Sequence, residues 1–157
     1  MIAVIQRVFS ATVYAEGDIT GFIDKGLYVL LGVKNTDTEK DAEALAEKIC
    51  KLRIFSDENG KMNLSVRDVE GEILVVSNFT LYANYAHGNR PDYFTSATPV
   101  KAEALYDYFV KLINDKMGAC EVGRFGADMR TKMETDGPVT IVMDSEVLLA
   151  PKKQTQI

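Results

Sequence analysis

Tryptophan is absent from the 157-residue chain, histidine occurs once, cysteine twice and proline four times. Each scarcity closes off some chemistry. With His87 as the single histidine and only Cys50 and Cys120 as thiols, a zinc centre lacks its usual ligands, and no metal or other cofactor is expected. Both cysteines lie in apolar-patterned segments without CxxC spacing, which predicts reduced, buried thiols rather than a disulfide. Ser-His-Asp catalysis would have to run through His87, which stands in the loop Tyr85-Ala-His-Gly-Asn-Arg-Pro91, where a lone histidine is usually just solvated. No apolar run approaches the length of a membrane span, so no membrane partner is expected. Met1-Ile-Ala-Val-Ile-Gln-Arg7 has none of the basic start, apolar middle and cleavage site of a signal peptide, which points to a cytoplasmic protein. Positive charge is also short: 18 Lys and Arg stand against 23 Asp and Glu, a formal net charge of −5. That balance argues against sequence-independent binding to long nucleic acid, and no DNA partner is expected, although a small basic patch remains compatible with it.

The composition that is present, 46% apolar and 26% charged, is ordinary for a globular domain. The length suits one domain with its own core, taken as residues 1–145, with 146–157 as a C-terminal extension or tail. No internal repeat or linker interrupts it. Ile2–Val8 and Ala11–Ala15 carry a strand pattern up to the turn Glu16-Gly17-Asp18. Ile19–Ile23 then returns as a hairpin, and Leu27–Val33 follows as a buried strand. From Asp37-Thr38 the period changes, and Ala42, Leu45, Ala46, Ile49 and Cys50 form one stripe of an amphipathic helix capped by Thr38 or Asp37. Thr98-Pro99 opens a second helix with Ala102, Leu105, Tyr108, Phe109, Leu112 and Ile113 on its apolar face, and Gly118 ends it. Cys120–Phe125, Met129–Glu134 and Val139–Met143 read as strands, with Thr135-Asp-Gly-Pro138 as the turn of another hairpin. An X-Pro bond in such a turn can be cis. Asn84–Ser96 is the longest loop, of a length that is often functional.

Glu72-Ile-Leu-Val-Val-Ser77 has the continuous β-branched character of a strand buried on both faces, and Ser77, Asn78 and Thr80 put polar groups at its end. These residues form a site at the strand end, or else Ser77 and Thr80 merely satisfy backbone groups near a turn, as Ser and Thr do routinely. Arg7 also has two readings: a charge at a sheet edge, or a planar fork that holds another loop in place.

With Ser77-Asn-Phe-Thr-Leu81 and Thr135-Asp-Gly-Pro-Val-Thr140 both in view, the chain resembles the D-aminoacyl-tRNA deacylase family, which frees tRNA from D-amino acids. The resemblance also takes in Ala3–Val8, Gly26–Val33, Leu52–Phe55, Gly60–Leu64 and Phe125-Gly-Ala-Asp-Met129, and stops near Ser145. Two positions depart from the family's pattern: Asn78 stands where Gln is usual, and Thr135 where Asn is usual. The resemblance implies an α+β fold with antiparallel-rich sheets and helices packed on one side. It also implies a homodimer with its active sites at the subunit interface. The Gly137-Pro138 unit, cis in the family, would reach from one subunit into the other's pocket and exclude L side chains, with Arg7 holding its loop.

The implied reaction is hydrolysis of the ester between a D-amino acid and the terminal ribose of tRNA. In it, Ser77, Asn78, Phe79 and Thr80 form the catalytic strand end, and Phe125, Met129 and Thr140 join the filter residues in holding substrate. Backbone N–H groups near Asn78 and Phe79 would stabilise the oxyanion, and the 2′-OH of the tRNA would activate water. Glycine mischarged on tRNA is a further substrate that the sequence leaves open. Two rival readings stand: Thr80 as a covalent nucleophile, which lacks a visible base, and a non-catalytic RNA- or nucleotide-binding module on the same fold.

Overall fold

In the computed structural model, which describes residues 1–151, the chain forms β1 (Ile2–Ala15), β2 (Asp18–Ile23), β3 (Gly26–Gly32), α1 (Glu39–Lys51), β4 (Phe55–Ser56) and β5 (Met62–Leu64). It continues with β6 (Glu72–Ser77), a 3-10 turn (Phe79–Tyr82), α2 (Pro99–Met117), β7 (Glu121–Val122), β8 (Met129–Asp144) and α3 (Ser145–Leu149). The main sheet is ordered β2-β1-β3-β6-β7, and β8 runs antiparallel along β1. β1 pairs with β3 through Ile2–Val8 and with β2 through Ala11–Ala15. The antiparallel-rich sheet expected from the resemblance is a mixed one, because β3–β6 and β6–β7 are parallel. Parallel neighbours need crossover connections, and α1 and α2 lie in those two connections.

Alternation along the buried strands serves two cores. Leu27, Val29, Leu31, Ile73 and Val75 face α1 and α2, which contribute Leu45, Ile49, Phe109 and Ile113 to the same cluster. Tyr28, Leu74 and Val76 point the other way and pack with Val8, Ala11, Val13 and Ile23. This double burial is what the unbroken apolar run of β6 requires. The second cluster is enclosed because the sheet curls until β2 meets β7: a side chain at Gly21 would place its Cβ 2.6 Å from Val122 O. A 13-residue helix is marginal alone in water, so the buried stripe of α1 holds it more than propensity does. α2 begins with Pro99 in its first turn and ends at Gly118, whose φ of 85° only glycine adopts readily.

Three segments depart from the sequence reading. Thr135-Asp-Gly-Pro138 is not a hairpin turn. Met129–Glu134 and the residues after Val139 both pair with β1 in the same direction, and the register jumps from Val8↔Thr135 to Gln6↔Thr140, so the chain bulges outward opposite Arg7 and then resumes its course. Turn chemistry marks bulges and hairpins alike, and only the pairing partner separates them. β4 and β5 form a small two-stranded sheet in a stretch for which the sequence reading named no strand, and the Cys120–Phe125 strand shrinks to Glu121–Val122.

At the C-terminal end, Ser145 is fully buried and begins α3; residues 152–157 of the expected tail lie outside the described residues. The Ser145 hydroxyl is held in a buried polar knot. The Met1 ammonium donates to Asp37 Oδ1 at 2.8 Å and to Ser145 Oγ at 2.5 Å, and Ser145 Oγ donates to Asp41 Oδ1 at 2.7 Å. Thr38 N–H donates to Asp41 Oδ2 at 2.8 Å, completing the capping box of α1. Burial alone would raise the Asp41 carboxyl, but its hydrogen bonds from Ser145 and Thr38, with the nearby ammonium, outweigh that and hold it below its usual range. The unfolded chain therefore binds this proton more readily than the folded one, and the Asp41 contribution to stability is lost as pH falls through the depressed value. Asp41→Asn is expected to lower the urea midpoint at neutral pH, with the gap to the unsubstituted protein narrowing below about pH 4. A gap that stays constant on acidification would remove Asp41 from this role.

Candidate active site

The carboxyl ends of the parallel strands β3 and β6 lie side by side, with Leu31 paired to Ser77. There the chain turns sharply, and Asn78 makes the turn. Its N–H donates to Leu31 O at 2.8 Å. Its side-chain Oδ1 accepts from Thr80 N–H at 3.1 Å and from the Thr80 hydroxyl. A short amide folding back on its own backbone is what Asn does well at such caps, so the Asn78 departure from the family's Gln has a local structural use. Of the two N–H groups expected to face an oxyanion, that of Asn78 is committed to Leu31. The Phe79 N–H, first of the 3-10 turn, has no acceptor among the described residues.

Beside this turn opens a cavity of about 530 Å³ whose walls include Ser77, Asn78, Phe79, Tyr93, Tyr106, Phe125 and Met129. Phe79 and Tyr93 meet edge to face at 5.0 Å, and Tyr106 and Phe125 pack at 5.7 Å. The Tyr106 hydroxyl donates to Val75 O at 2.9 Å, and burial pushes its phenol well above the usual range, so it stands as a neutral wall. Arg124 N–H points to Met129 Sδ at 3.3 Å, which pins the 124–129 turn over the cavity. Thr80 is exposed and outside the lining, and its hydroxyl goes to an amide oxygen, which is no base. Sequence reading passed over Tyr93, Tyr106 and Asp128, all on the walls. Tyr106 sits one residue beyond Leu105 on the stripe of α2, and Asp128 lies inside the Phe125–Met129 motif, so both had a signal.

Arg7, Gly137, Pro138 and Thr140 are not among the residues lining this cavity. They form a second assembly. Arg7 occupies the position on β1 where alternation from Ala3 and Ile5 calls for a core residue, and it is 9% exposed. Its Nε lies 3.0 Å from Asp136 Oδ2 and 3.3 Å from Asp136 O, Nη2 donates to Asp136 Oδ1 at 3.2 Å, and Nη1 donates to Ile54 O at 2.5 Å. The guanidinium also lies 6.0 Å over the Phe55 ring. Arg7 is thus the fork that holds a loop, not a sheet-edge charge. The loop it holds carries the cis Gly137-Pro138 bond, with Gly137 at φ 131°. Gln6 Nε2 reaches Thr140 Oγ1 at 3.5 Å on the far side of the bulge. His87 is exposed in its loop, Cys50 is buried and Cys120 half-buried, both as free thiols, with burial pushing Cys120 up to about 12. No cluster of three or more potential metal-ligating side chains occurs among the described residues, and none of their helices is long and apolar enough to cross a membrane.

The mixed α+β fold holds an apolar cavity at the ends of parallel strands, lined in part by Phe79, whose N–H has no acceptor among the described residues, and this cavity is the candidate binding site. Comparison makes this specific. The family model described as D-Tyr-tRNA(Tyr) deacylase matches residues 4–144. A D-aminoacyl-tRNA deacylase of Thermosipho melanesiensis is 54% identical over 147 residues, covering 93% of this chain and 98% of the relative. Among solved structures, a c-Myc DNA unwinding element binding protein superposes with a TM-score of 0.86 at 39% identity, covering 92% of this chain and 98% of that one. A probable eukaryotic D-amino acid tRNA deacylase, at TM-score 0.80 and 15% identity, shares the fold. The chain belongs to the D-Tyr-tRNA(Tyr) deacylase family, and it is a hydrolase of the aminoacyl-tRNA ester bond.

Arg7→Lys tests the fork. A lysine ammonium can satisfy one of the two segments but not both, since it lacks the planar spread of donors. D-aminoacyl-tRNA hydrolysis, or its selectivity over the L form, is expected to fall by about tenfold or more, with retained circular dichroism. Kinetics indistinguishable from the unsubstituted protein would reduce Arg7 to a core-filling charge.

Proposed function

We propose that the chain works as a homodimer that removes D-amino acids from tRNA in the cytoplasm, each pocket being completed by the Gly137-Pro138 tip of the other subunit. The observation that carries this reading is the separation of two assemblies in one chain: a cavity with an unpaired Phe79 N–H, and a rigidly held tip that lines no part of that cavity. A tip clamped by Arg7 on one subunit can wall the pocket of another. Against it, the α-carbon of the substrate would have room for a hydrogen where an L residue would place its side chain. Glycine, which has no side chain, would pass the same filter.

In this reading the amino acid lies in the cavity between Phe79, Phe125 and Met129, with Thr140 steadying the base of the tip. Its carbonyl oxygen faces the Phe79 N–H, a type of contact worth about 3–4 kcal/mol to an acyl-transfer transition state in other hydrolases. Water adds to the carbonyl carbon as the ribose 2′ oxygen takes its proton. The bond to the 3′ oxygen then breaks, and the proton passes to that leaving oxygen. Ser77, Asn78 and Thr80 act by shape: Asn78 caps the turn that frees the Phe79 N–H, and Thr80 fixes the Asn78 amide. A Thr80 nucleophile fits less well, because the acceptor of its proton among the described residues is an amide oxygen. The likeness to a protein described as binding a DNA unwinding element keeps a non-catalytic nucleic-acid reading as the alternative.

The test removes only the internal base. A D-aminoacyl-tRNA ending in 2′-deoxyadenosine keeps the 3′ ester and most contacts. It is expected to bind with little change in Kd and to be hydrolysed very slowly. Hydrolysis at the normal rate would transfer water activation to a protein group, Asp128 being the carboxylate on the cavity wall. Binding of both substrates without turnover of either would favour the non-catalytic reading.

A further inference from the structure

The 84–96 loop takes no part in the chemistry above, yet it carries two of the most exposed aromatic rings in the protein. Tyr85 is 78% exposed and Phe94 86% exposed. Large rings gain from burial, so a loop that displays two of them is built for a partner or is merely loose. This loop is braced. Asn84 and Asp92 exchange backbone hydrogen bonds of 2.8 and 2.9 Å, and Asn84 Nδ2 donates to Asp92 Oδ2 at 2.9 Å. Asn35 N–H donates to Thr95 O at 2.9 Å, and Ser96 Oγ to Phe79 O at 3.1 Å. Its one carboxylate, Asp92, is turned inward and also accepts from Phe94 N–H at 3.3 Å. Arg90 and His87 remain exposed between the rings, and Arg90 forms no salt bridge among the described residues.

The loop is also continuous with the cavity. Tyr93 and Ser96 line it, and Tyr93 packs on Phe79, so Phe94 stands one residue from its wall. Whatever enters as the terminal ester of a tRNA brings an unpaired strand with it, and that strand must leave across the rim. A net charge of −5 argues against holding RNA by its phosphates alone. Aromatic rings interleaved with a cation hold single strands in another way, since every base has a face to stack and the cation meets a phosphate.

We propose that this loop docks the unpaired nucleotides preceding the terminal adenosine of the tRNA, with their bases on Tyr85 and Phe94 and a phosphate on Arg90. The inference rests on the tRNA-ester reading of the neighbouring cavity and adds to it a surface for the rest of the 3′ strand. Contact with a second copy of the chain is the other occupant such rings could have. The continuity of the loop with the cavity favours the tRNA strand, which must cross this rim when its terminal ester is bound.

The experiment compares two substrates, D-aminoacyl-tRNA and the D-aminoacyl ester of adenosine alone, with the Tyr85→Ser/Phe94→Ser variant and with Arg90→Gln. Both rings are exposed, so the fold is expected to stand. For the double variant, KM for the tRNA ester should rise about ten- to a hundredfold with kcat little changed, while the adenosine ester is hydrolysed as before and the mass in solution is unchanged. Arg90→Gln should flatten the salt dependence of tRNA binding by about 0.7 in log–log slope. An equal loss on both substrates, an unchanged KM for tRNA, or a fall in mass through loss of a second copy would each overturn the proposal. If the unsubstituted protein cleaves neither ester, the hydrolase reading fails, and the loop is then judged by Kd for uncharged tRNA. A weaker Kd in the double variant supports the docking surface, and an unchanged one overturns it.

Discussion

The Arg7 fork is the constraint on which the functional geometry depends. A guanidinium placed at a core position of β1 is costly to bury, and only a full set of acceptors offsets that cost. Asp136 supplies its carboxylate and its carbonyl, and Ile54 supplies a second carbonyl from the end of the segment that leaves α1. One side chain thereby ties the middle of β1, the approach to β4 and the bulge of β8. Without it, Ile54 O and the Asp136 carboxylate would lose the donor that meets them in a half-buried setting, and the bulge would have no reason to keep one conformation. The shape of β8 follows from the same pairing: the strand swings outward where Arg7 occupies the sheet, and it returns to register at Thr140.

The second dependency lies at the end of β6. Two parallel strands finishing together leave backbone groups that need partners, and Asn78 takes up most of them by giving its N–H to Leu31 and its side-chain oxygen to Thr80. What is left over is the Phe79 N–H, on a residue that lines the apolar cavity. An unpaired donor in such a place is normally a cost, and it becomes an asset only when a carbonyl is offered to it. On the proposed reading, a chain with one exposed histidine and two free thiols would carry acyl chemistry by contributing position and dipoles while the substrate contributes reactivity.

Much of this was legible in the sequence, and the illegible parts share a cause. The apolar run of Glu72–Ser77, the capped stripe of α1 and the Pro-to-Gly span of α2 are signals written within one segment, and each appears where its period placed it. Arg7 could be read as a fork because a charge in an apolar strand needs a partner. Its partner could not be read from the residues themselves, because Asp136 is 129 residues away, and only the resemblance pointed to the Gly137-Pro138 loop. The same limit hid the bulge in β8, since Thr135-Asp-Gly-Pro138 has the chemistry of a turn whichever strand its flanks pair with. It also hid the parallel pairing of β3 with β6, which depends on where α1 carries the chain. The Asn78 side chain was opaque for a different reason: the sequence marked it only as a departure from the family's Gln, whereas Asn acts on the adjacent backbone.

In the proposed dimer, a tip clamped by Arg7 on one subunit completes the Phe79 cavity of the other. The most direct measurement is the structure of the protein bound to a D-aminoacyl-adenosine analogue in which an amide replaces the ester. The analogue's carbonyl oxygen is expected within hydrogen-bond distance of Phe79 N–H, with the Gly137-Pro138 segment of a second subunit against its α-carbon. A ligand seated in the cavity with that segment facing solvent, or with no second subunit beside it, would contradict the claim.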